Sequence, residues 1–341
     1  MIGTLDNVRS RWQWRKATRF RKDSEMRRSS RFPLRCCVVC AAVLFAATLL
    51  PATAQAQKIG LSMHFMRDDY AIAFRDAFQK VCTQEEVPVV ITDGAAKASK
   101  QLADLENLLA QKVDVLVIIP WDEKAVLRPI ARANAVNIPV VAVTHIPDAT
   151  VNATVDGGDR ANGKAAGTLL AERLAGKGKV VLLDIPVAMW RIQERVKGFK
   201  EALKDTDIEI VVHQKVDTDE KAMRAIEDAL TAHPDLRGIF ATFSNQILGA
   251  AAALKARGKK DVVLTGIDAD RAIIQMIRAG WVTGTAAQFP RDQGTKAAQA
   301  AVALLRGESV KALYPVPTQI VDYDNAKEMQ ERIWGIKYTG K

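Results

Sequence analysis

From residue 58 onward, short β-branched runs alternate with longer amphipathic stretches, and this rhythm restricts the chain to a parallel α/β architecture. The runs cover 58–63, 87–92, 114–119, 139–143, 179–184, 208–213, 238–242, 261–266 and 282–286. Between them lie helix-patterned segments at 70–82, 99–111, 123–135, 159–174, 192–203, 219–232, 244–257, 270–279 and 292–305. Strands that are apolar on both faces need helices on both sides of their sheet. The strand count exceeds one ordinary open sheet, and the rhythm pauses at 148–159, around Thr154-Val155-Asp156-Gly157-Gly158. A lobe boundary is expected there. A closed eight-stranded βα barrel shares the alternation, and the glycine-marked pause argues against it. Two doubly wound lobes place a ligand crevice beyond the carboxyl ends of their strands, where loops from both converge.

The first 56 residues follow a different pattern. An arginine-rich lead precedes the apolar run 36–50 and the segment Pro51-Ala52-Thr53-Ala54-Gln55-Ala56, with small residues at alternating positions. This is the layout of a cleaved secretory signal, with the cut expected after Ala56 and export to the periplasm. A retained anchor is the competing reading, but the run falls short of the roughly 20 apolar residues that span a bilayer. Met26-Arg27-Arg28 would open a leader of ordinary length, so translation is expected to begin at Met26. Eleven of the 49 Lys and Arg residues and three of the 39 Asp and Glu residues fall in 1–56, which leaves 38 against 36 beyond it. The basic excess therefore belongs to the leader and gives no reason to expect nucleic acid as a partner. Cys36, Cys37 and Cys40 also lie in the leader; Cys82 alone remains, so no intramolecular disulfide can form in the mature chain, and it is expected as a buried small apolar residue.

Catalytic signatures are missing: the mature sequence has no Gly-x-Ser-x-Gly, His-Glu-x-x-His, P-loop or Cys-x-x-Cys. His64, His145, His213 and His233 are scattered rather than spaced as metal ligands, and Asp156-Gly157-Gly158-Asp159 lacks the further acids of a calcium loop. Neither cofactor nor metal is expected. What stands out is a set of polar and aromatic residues where strands end or helices begin: His64, Asp68 and Tyr70 after the first strand, Thr144 and His145 after the fourth, Trp190, Arg191 and Gln193 opening a helix, then Phe243, Asp268 and Gln288. These are crevice positions.

In this order the residues resemble the ribose/galactose-type periplasmic sugar-binding proteins, whose fold also serves the effector domain of lactose-repressor-like regulators. The similarity covers essentially all of 58–321. It is carried by Asn137-Ile138-Pro139-Val140, Glu194-Arg195-Val196-Lys197-Gly198-Phe199, Thr231-Ala232-His233-Pro234-Asp235, Gly266-Ile267-Asp268 and Thr285-Ala286-Ala287-Gln288-Phe289-Pro290 leading to Gly294. The resemblance implies a type I periplasmic binding protein with two doubly wound parallel-sheet lobes, 57–157 plus 289–317 and 158–288 plus 318–341. A three-segment hinge is expected near Asp156-Gly157, Gln288-Phe289 and Pro317-Thr318. It further implies a monomer that binds a sugar or polyol and delivers it to the permease of an ABC importer. Asp268 and Gln288 match the family's ligand contacts directly. The usual Asp-Arg pair is Thr144-His145 here, the second lobe's arginine position is Gln193, and an asparagine after Phe240-Ala241 is Phe243, which points to a different hydroxyl arrangement.

Each position also has a structural reading. Asp268 could cap the helix that follows it, Tyr70 and Phe243 could be core aromatics, His64 a satisfied loop histidine, Trp190 a neighbour of the crevice, and Arg195 a structural contact. Trp121, Trp281 and Trp334 receive no role. Two other functional classes remain. A transcriptional regulator would need a helix-turn-helix module before residue 58, and no such pattern is present; a sugar-processing enzyme would need a paired acid and base, for which Asp68 and Asp268 are the candidates.

Overall fold

The computed structural model describes residues 57–186 and 189–339. The signal, its cleavage site, the Met26 start and the leader cysteines fall outside the described residues.

The first sheet is built from β1 (Ile59–Met63), β2 (Val89–Asp93), β3 (Val115–Ile118), β4 (Val140–Val143), β5 (Ala153–Asp156) and β11 (Leu313–Pro315). Its order is β11-β5-β4-β3-β1-β2, parallel throughout. The second sheet uses β6 (Lys177–Asp184), β7 (Asp207–Lys215), β8 (Leu236–Ala241), β9 (Val263–Ile267), β10 (Gly284–Ala287) and β12 (Gln319–Asp322) in the order β12-β10-β9-β8-β6-β7. Only β12 runs antiparallel within it, against β10. Both sheets therefore share the doubly wound order in which the second strand lies outside the first and the third turns back, the switch point at which such folds bind ligands.

The strands read as continuous apolar runs because each of their faces is covered. In β3, Val115 and Val117 join the core that contains Phe74 and Phe78 of α1 (Asp69–Gln84), while Leu116 and Ile118 pack with Leu105 and Leu108 of α2 (Ala98–Ala110) and Ile130 of α3 (Leu127–Ala135). The same alternation divides Val181 and Leu183 from Val180 and Leu182 in β6. Fully burying each such side chain stabilises the fold by roughly 1.5–3 kcal/mol. In the second lobe, α4 (Asp159–Arg173) lies directly on α5 (Trp190–Ala202). A Cβ on Gly163 would stand 2.0 Å from the Arg195 carbonyl oxygen, and one on Gly198 2.0 Å from that of Arg160, so both positions require glycine for this approach.

The remaining helices are α6 (Asp219–Ala232), α7 (Ser244–Ala256), α8 (Arg271–Arg278), α9 (Pro290–Leu305) and α10 (Ala326–Trp334). The chain passes between sheets after β5, after β10 and between β11 and β12. Two of these passages touch: Val316 N donates to Asp156 O at 2.8 Å, and Gly158, at φ 70°, lies against Thr318. Three strands depart from the sequence reading. The pause at 148–159 contains β5, and β11 and β12 form short edge strands, one in each sheet, after the last expected helix. The helix expected at 123–135 begins at Leu127, because Asp122 folds a turn ahead of it by accepting from the amides of Lys124 and Ala125.

Candidate functional site

A cavity of about 460 Å³ lies where strand ends of both sheets meet. His64 follows β1, Trp121 follows β3 and Thr144 follows β4 from the first sheet; Ile185, Phe243, Asp268 and Gln288 follow β6, β8, β9 and β10 from the second. Tyr70 on α1 and Gln293 on α9 add a paired wall: the Tyr70 hydroxyl donates to Gln293 Oε1, which fixes the amide and leaves its buried Nε2 without a protein partner. Burial pushes the Tyr70 pKa upward, so the phenol stays protonated. His64 is 6 % exposed with Nδ1 unpartnered, and burial followed by Arg191 and Arg67 holds its pKa well below 6.5. The ring is neutral at pH 7, a hydrogen-bonding group rather than a cation.

Carboxylates approach from both lobes. Asp68 caps α1 by accepting from Ala71 N at 2.8 Å, and burial, with repulsion from Asp268 and Asp69, pushes its pKa up to about 6. Asp268 caps a helix as well, though not the one that follows it: Oδ2 accepts from Ser244 N at 3.0 Å and Ser244 Oγ at 2.9 Å, at the start of α7. Its other oxygen accepts from Gln288 Nε2 at 2.6 Å, so the two residues taken from the sequence act as one unit. Asp268 sits at φ 97°, an uncommon backbone for a non-glycine residue of the kind that concentrates at functional sites. Asp270, absent from the sequence reading, also lines the cavity, and burial followed by Asp268 pushes its pKa up to about 7.

Two arginines line the cavity with their charges already engaged. Arg195, 2 % exposed, donates from Nε to Asp159 at 2.8 Å and from Nη1 to Thr242 O at 2.9 Å. Arg191 reaches across the lobes to Pro120 O at 2.9 Å and lies 3.7 Å from Glu123. Arg195 thus makes the structural contact expected of it while forming part of the wall.

Of the eleven residues singled out in the sequence, His64, Asp68, Tyr70, Thr144, Arg191, Phe243, Asp268 and Gln288 line this cavity. Gln193, His145 and Trp190 do not. Gln193 is exposed: on α5, residues 191 and 195 are four apart and share a face, while 193 turns some 200° away from 191. Thr144 sits at φ 80°, and the chain turns there to bring His145 to the exposed rim. His145 instead meets Trp190 from the opposite lobe, with ring centroids 4.7 Å apart. Trp190 lines a recess beside Asp156 and Arg160. Asp69 and Arg271 make a further contact between lobes through two bonds, 2.9 and 3.0 Å.

Sequence reasoning also missed Asp159, Asp270, Trp121 and Trp334. The strand-end rule that found His64 would have found Trp121, which follows β3 and has its amide held by Gln101 at 2.7 Å. Cys82 is buried and free; burial, then Glu85, pushes its thiol up to about 12, so it packs as an unreactive residue. Among the described residues no three His, Cys, Asp or Glu side chains assemble as a metal site, and no helix is long and apolar enough to cross a membrane.

The family model for the periplasmic binding protein domain matches residues 59–309. The ribose import binding protein of Escherichia coli (strain K12) is 29 % identical over 287 residues, covering 82 % of this chain and 97 % of that protein. A xylitol-binding protein of Mycolicibacterium smegmatis is 25 % identical over 274 residues, 78 % of each chain. The fold is that of an ABC transporter solute binding protein from Bacillus halodurans C-125 with bound myo-inositol: TM-score 0.77, 23 % identity, covering 82 % of this chain and 99 % of that one.

Proposed function

The chain belongs to the periplasmic binding protein family, and from that premise we propose that it is the solute-binding component of an ABC importer for a sugar or polyol. It is a binding protein, not an enzyme. The observation that carries the reading is one cavity receiving a carboxylate from each lobe, Asp68 from the first and Asp268 from the second, among the flat faces of Tyr70, Trp121, Phe243 and Trp334. A polyhydroxylated solute presents hydroxyl donors to carboxylates and C–H faces to aromatics. Hydrogen bonds to ionised groups contribute about 1.5–3 kcal/mol each, and a solute missing one hydroxyl leaves a buried group unpaired.

Contacts to both lobes would make closure the bound state's preference, a population shift about the three connections between the sheets. Contacts such as Asp69 with Arg271 and His145 with Trp190 describe the closed arrangement. The closed form is what a permease would engage. The leader-like first 56 residues support delivery to the periplasm, where a near-neutral mature chain acts as a monomer without nucleic acid.

A thermal-shift screen of pentoses, hexoses, tetritols and inositols tests this, since a solute that binds the folded state raises the melting temperature by mass action. At least one class should raise it in a concentration-dependent way. A chain that melts cooperatively and ignores every member would contradict the reading.

A further inference from the structure

Charge inside the cavity does not balance, and the imbalance narrows the solute. Three arginines line it among the described residues. Arg195 is spent on Asp159 and Arg191 on Pro120 O with Glu123 nearby, while Arg67 is exposed with its guanidinium 5.2 Å above the Phe65 ring. Of the five aspartates that line the cavity, Asp159 is paired with Arg195 and Asp217 with Lys221 at 2.7 Å. Asp68, Asp268 and Asp270 remain, and none of them has a cation within ion-pair distance among the described residues. Their partners are neutral: the Ala71 amide, Ser244 and the Gln288 amide.

Asp268 and Asp270 share the loop after β9 and Asp68 stands on the opposite lobe, so closure brings Asp68 against them; burial first, and repulsion among the three after it, raises the pKa of Asp68 and of Asp270. Around them stand further charges: Asp69 and Arg67 on the segment of Asp68, Arg271 beside Asp270 and bonded to Asp69, and Arg195 facing Asp268. A neutral polyol could accept and donate here but would cancel none of this charge, leaving the carboxylates either to repel one another or to hold protons in a closed, poorly screened space. Next to this group, Gln293 is 2 % exposed with Nε2 unpartnered and close to Gln288, since a Cβ on Gly157 would lie 3.0 Å from the first and 3.8 Å from Gln288 Oε1. This donor addresses a hydroxyl on the same molecule that meets the carboxylates. The aromatic faces of Tyr70 and Phe243 also suit a cation.

We propose that the solute carries an ammonium group on a hydroxylated body, as an amino sugar or aminocyclitol does, and that Asp68, Asp268 and Asp270 receive that group. This rests on the reading of the cavity as a site for polyhydroxylated solutes and specifies which of them it takes. An ammonium donates three hydrogen bonds and cancels charge where a hydroxyl cancels none.

The test is calorimetry at pH 7 on matched pairs: glucosamine with glucose, galactosamine with galactose, and amino-deoxy-inositol with inositol, each amine also in its N-acetyl form. The amine of at least one pair should bind at least tenfold more tightly than its neutral counterpart, and N-acetylation should remove the advantage. Asp270→Asn should bring the ratio toward one, with circular dichroism confirming an intact fold. With the unmodified protein, amine affinity should tighten more steeply between pH 5.5 and 7, as the carboxylates ionise, than that of the neutral partner. Neutral members that bind as tightly as their amines, or more tightly, would overturn the inference and leave the polyol reading standing. If no member of any pair binds while a pentose or tetritol of the thermal-shift screen does, the inference is overturned and the polyol reading stands; if nothing in either set binds, both fall.

Discussion

At the rim of the cleft Asp69 meets Arg271 across the lobes in a two-point ion pair, whereas their immediate chain neighbours, Asp68 and Asp270, turn inward and repel each other without a cation between them. The two pairs come from the same helix starts, α1 and α8, and differ by one residue in each. At the rim the charges are solvated and matched, and they report that the lobes are closed. Inside, they are desolvated and unmatched, a cost to the fold that the raised pKa values record and that concentrates at functional sites. Arg195 with Asp159 is the counterexample within the cavity wall: more deeply buried than Asp68 and Asp270, it is matched, and serves as scaffold.

The largest effect that would break this contrast is at the scaffold. Arg195→Ala should cost about 3–5 kcal/mol of stability, because it leaves Asp159 buried and unpaired; urea unfolding reads it, and a loss below 1 kcal/mol would mean that the pair is not a structural unit. Next comes the unmatched interior. Asp268→Asn keeps the shape and loses the charge, so solute affinity should fall by about one to two orders of magnitude, the worth of a hydrogen bond to an ionised group. Unaltered calorimetric binding would remove Asp268 from the site.

Acidity gives a third, smaller effect, with a definite sign. Asp68 at about 6 and Asp270 at about 7 both lie above the ordinary 3.8, so between these values the folded chain holds protons that the unfolded chain has released. Their contribution to stability is complete below about pH 4 and is lost as pH rises through 6 and 7. The solute-free Asp270→Asn variant should therefore show a shallower fall in melting temperature from pH 5 to 8, and melt higher than the unmodified chain at pH 8. An identical pH slope in both would place Asp270 in water. The smallest effect belongs to the rim. Arg271→Ala removes an exposed pair worth about 0.2–1 kcal/mol, so affinity should change less than about fivefold, with the open form slightly more populated in X-ray scattering; a hundredfold loss would show that rim and interior are not separable.

Much of this was legible in the sequence because it follows from local pattern. Val115 to Ile118 announce a strand covered on both faces, and residues just past strand ends such as His64, Thr144 and Asp268 fall in the crevice by the topology alone. What escaped depends on direction or on distant pairing. Gln193 and Arg195 lie on one helix two residues apart, and only the helix's rotational setting decides which faces the cavity. Leu313–Pro315 is too short and too exposed to signal a strand; it exists because β5 offers a parallel edge more than 150 residues away in sequence. Asp270 was hidden for a related reason, since an aspartate ahead of a helix reads as a cap, yet its side chain makes no cap bond.

The most direct measurement is a crystal structure with the solute that raises the melting temperature most. The account expects that solute between the sheets, hydrogen-bonded to Asp268 and Gln288 from one lobe and to Asp68 from the other. A solute seated elsewhere, or held by one lobe with the other turned away, would contradict it.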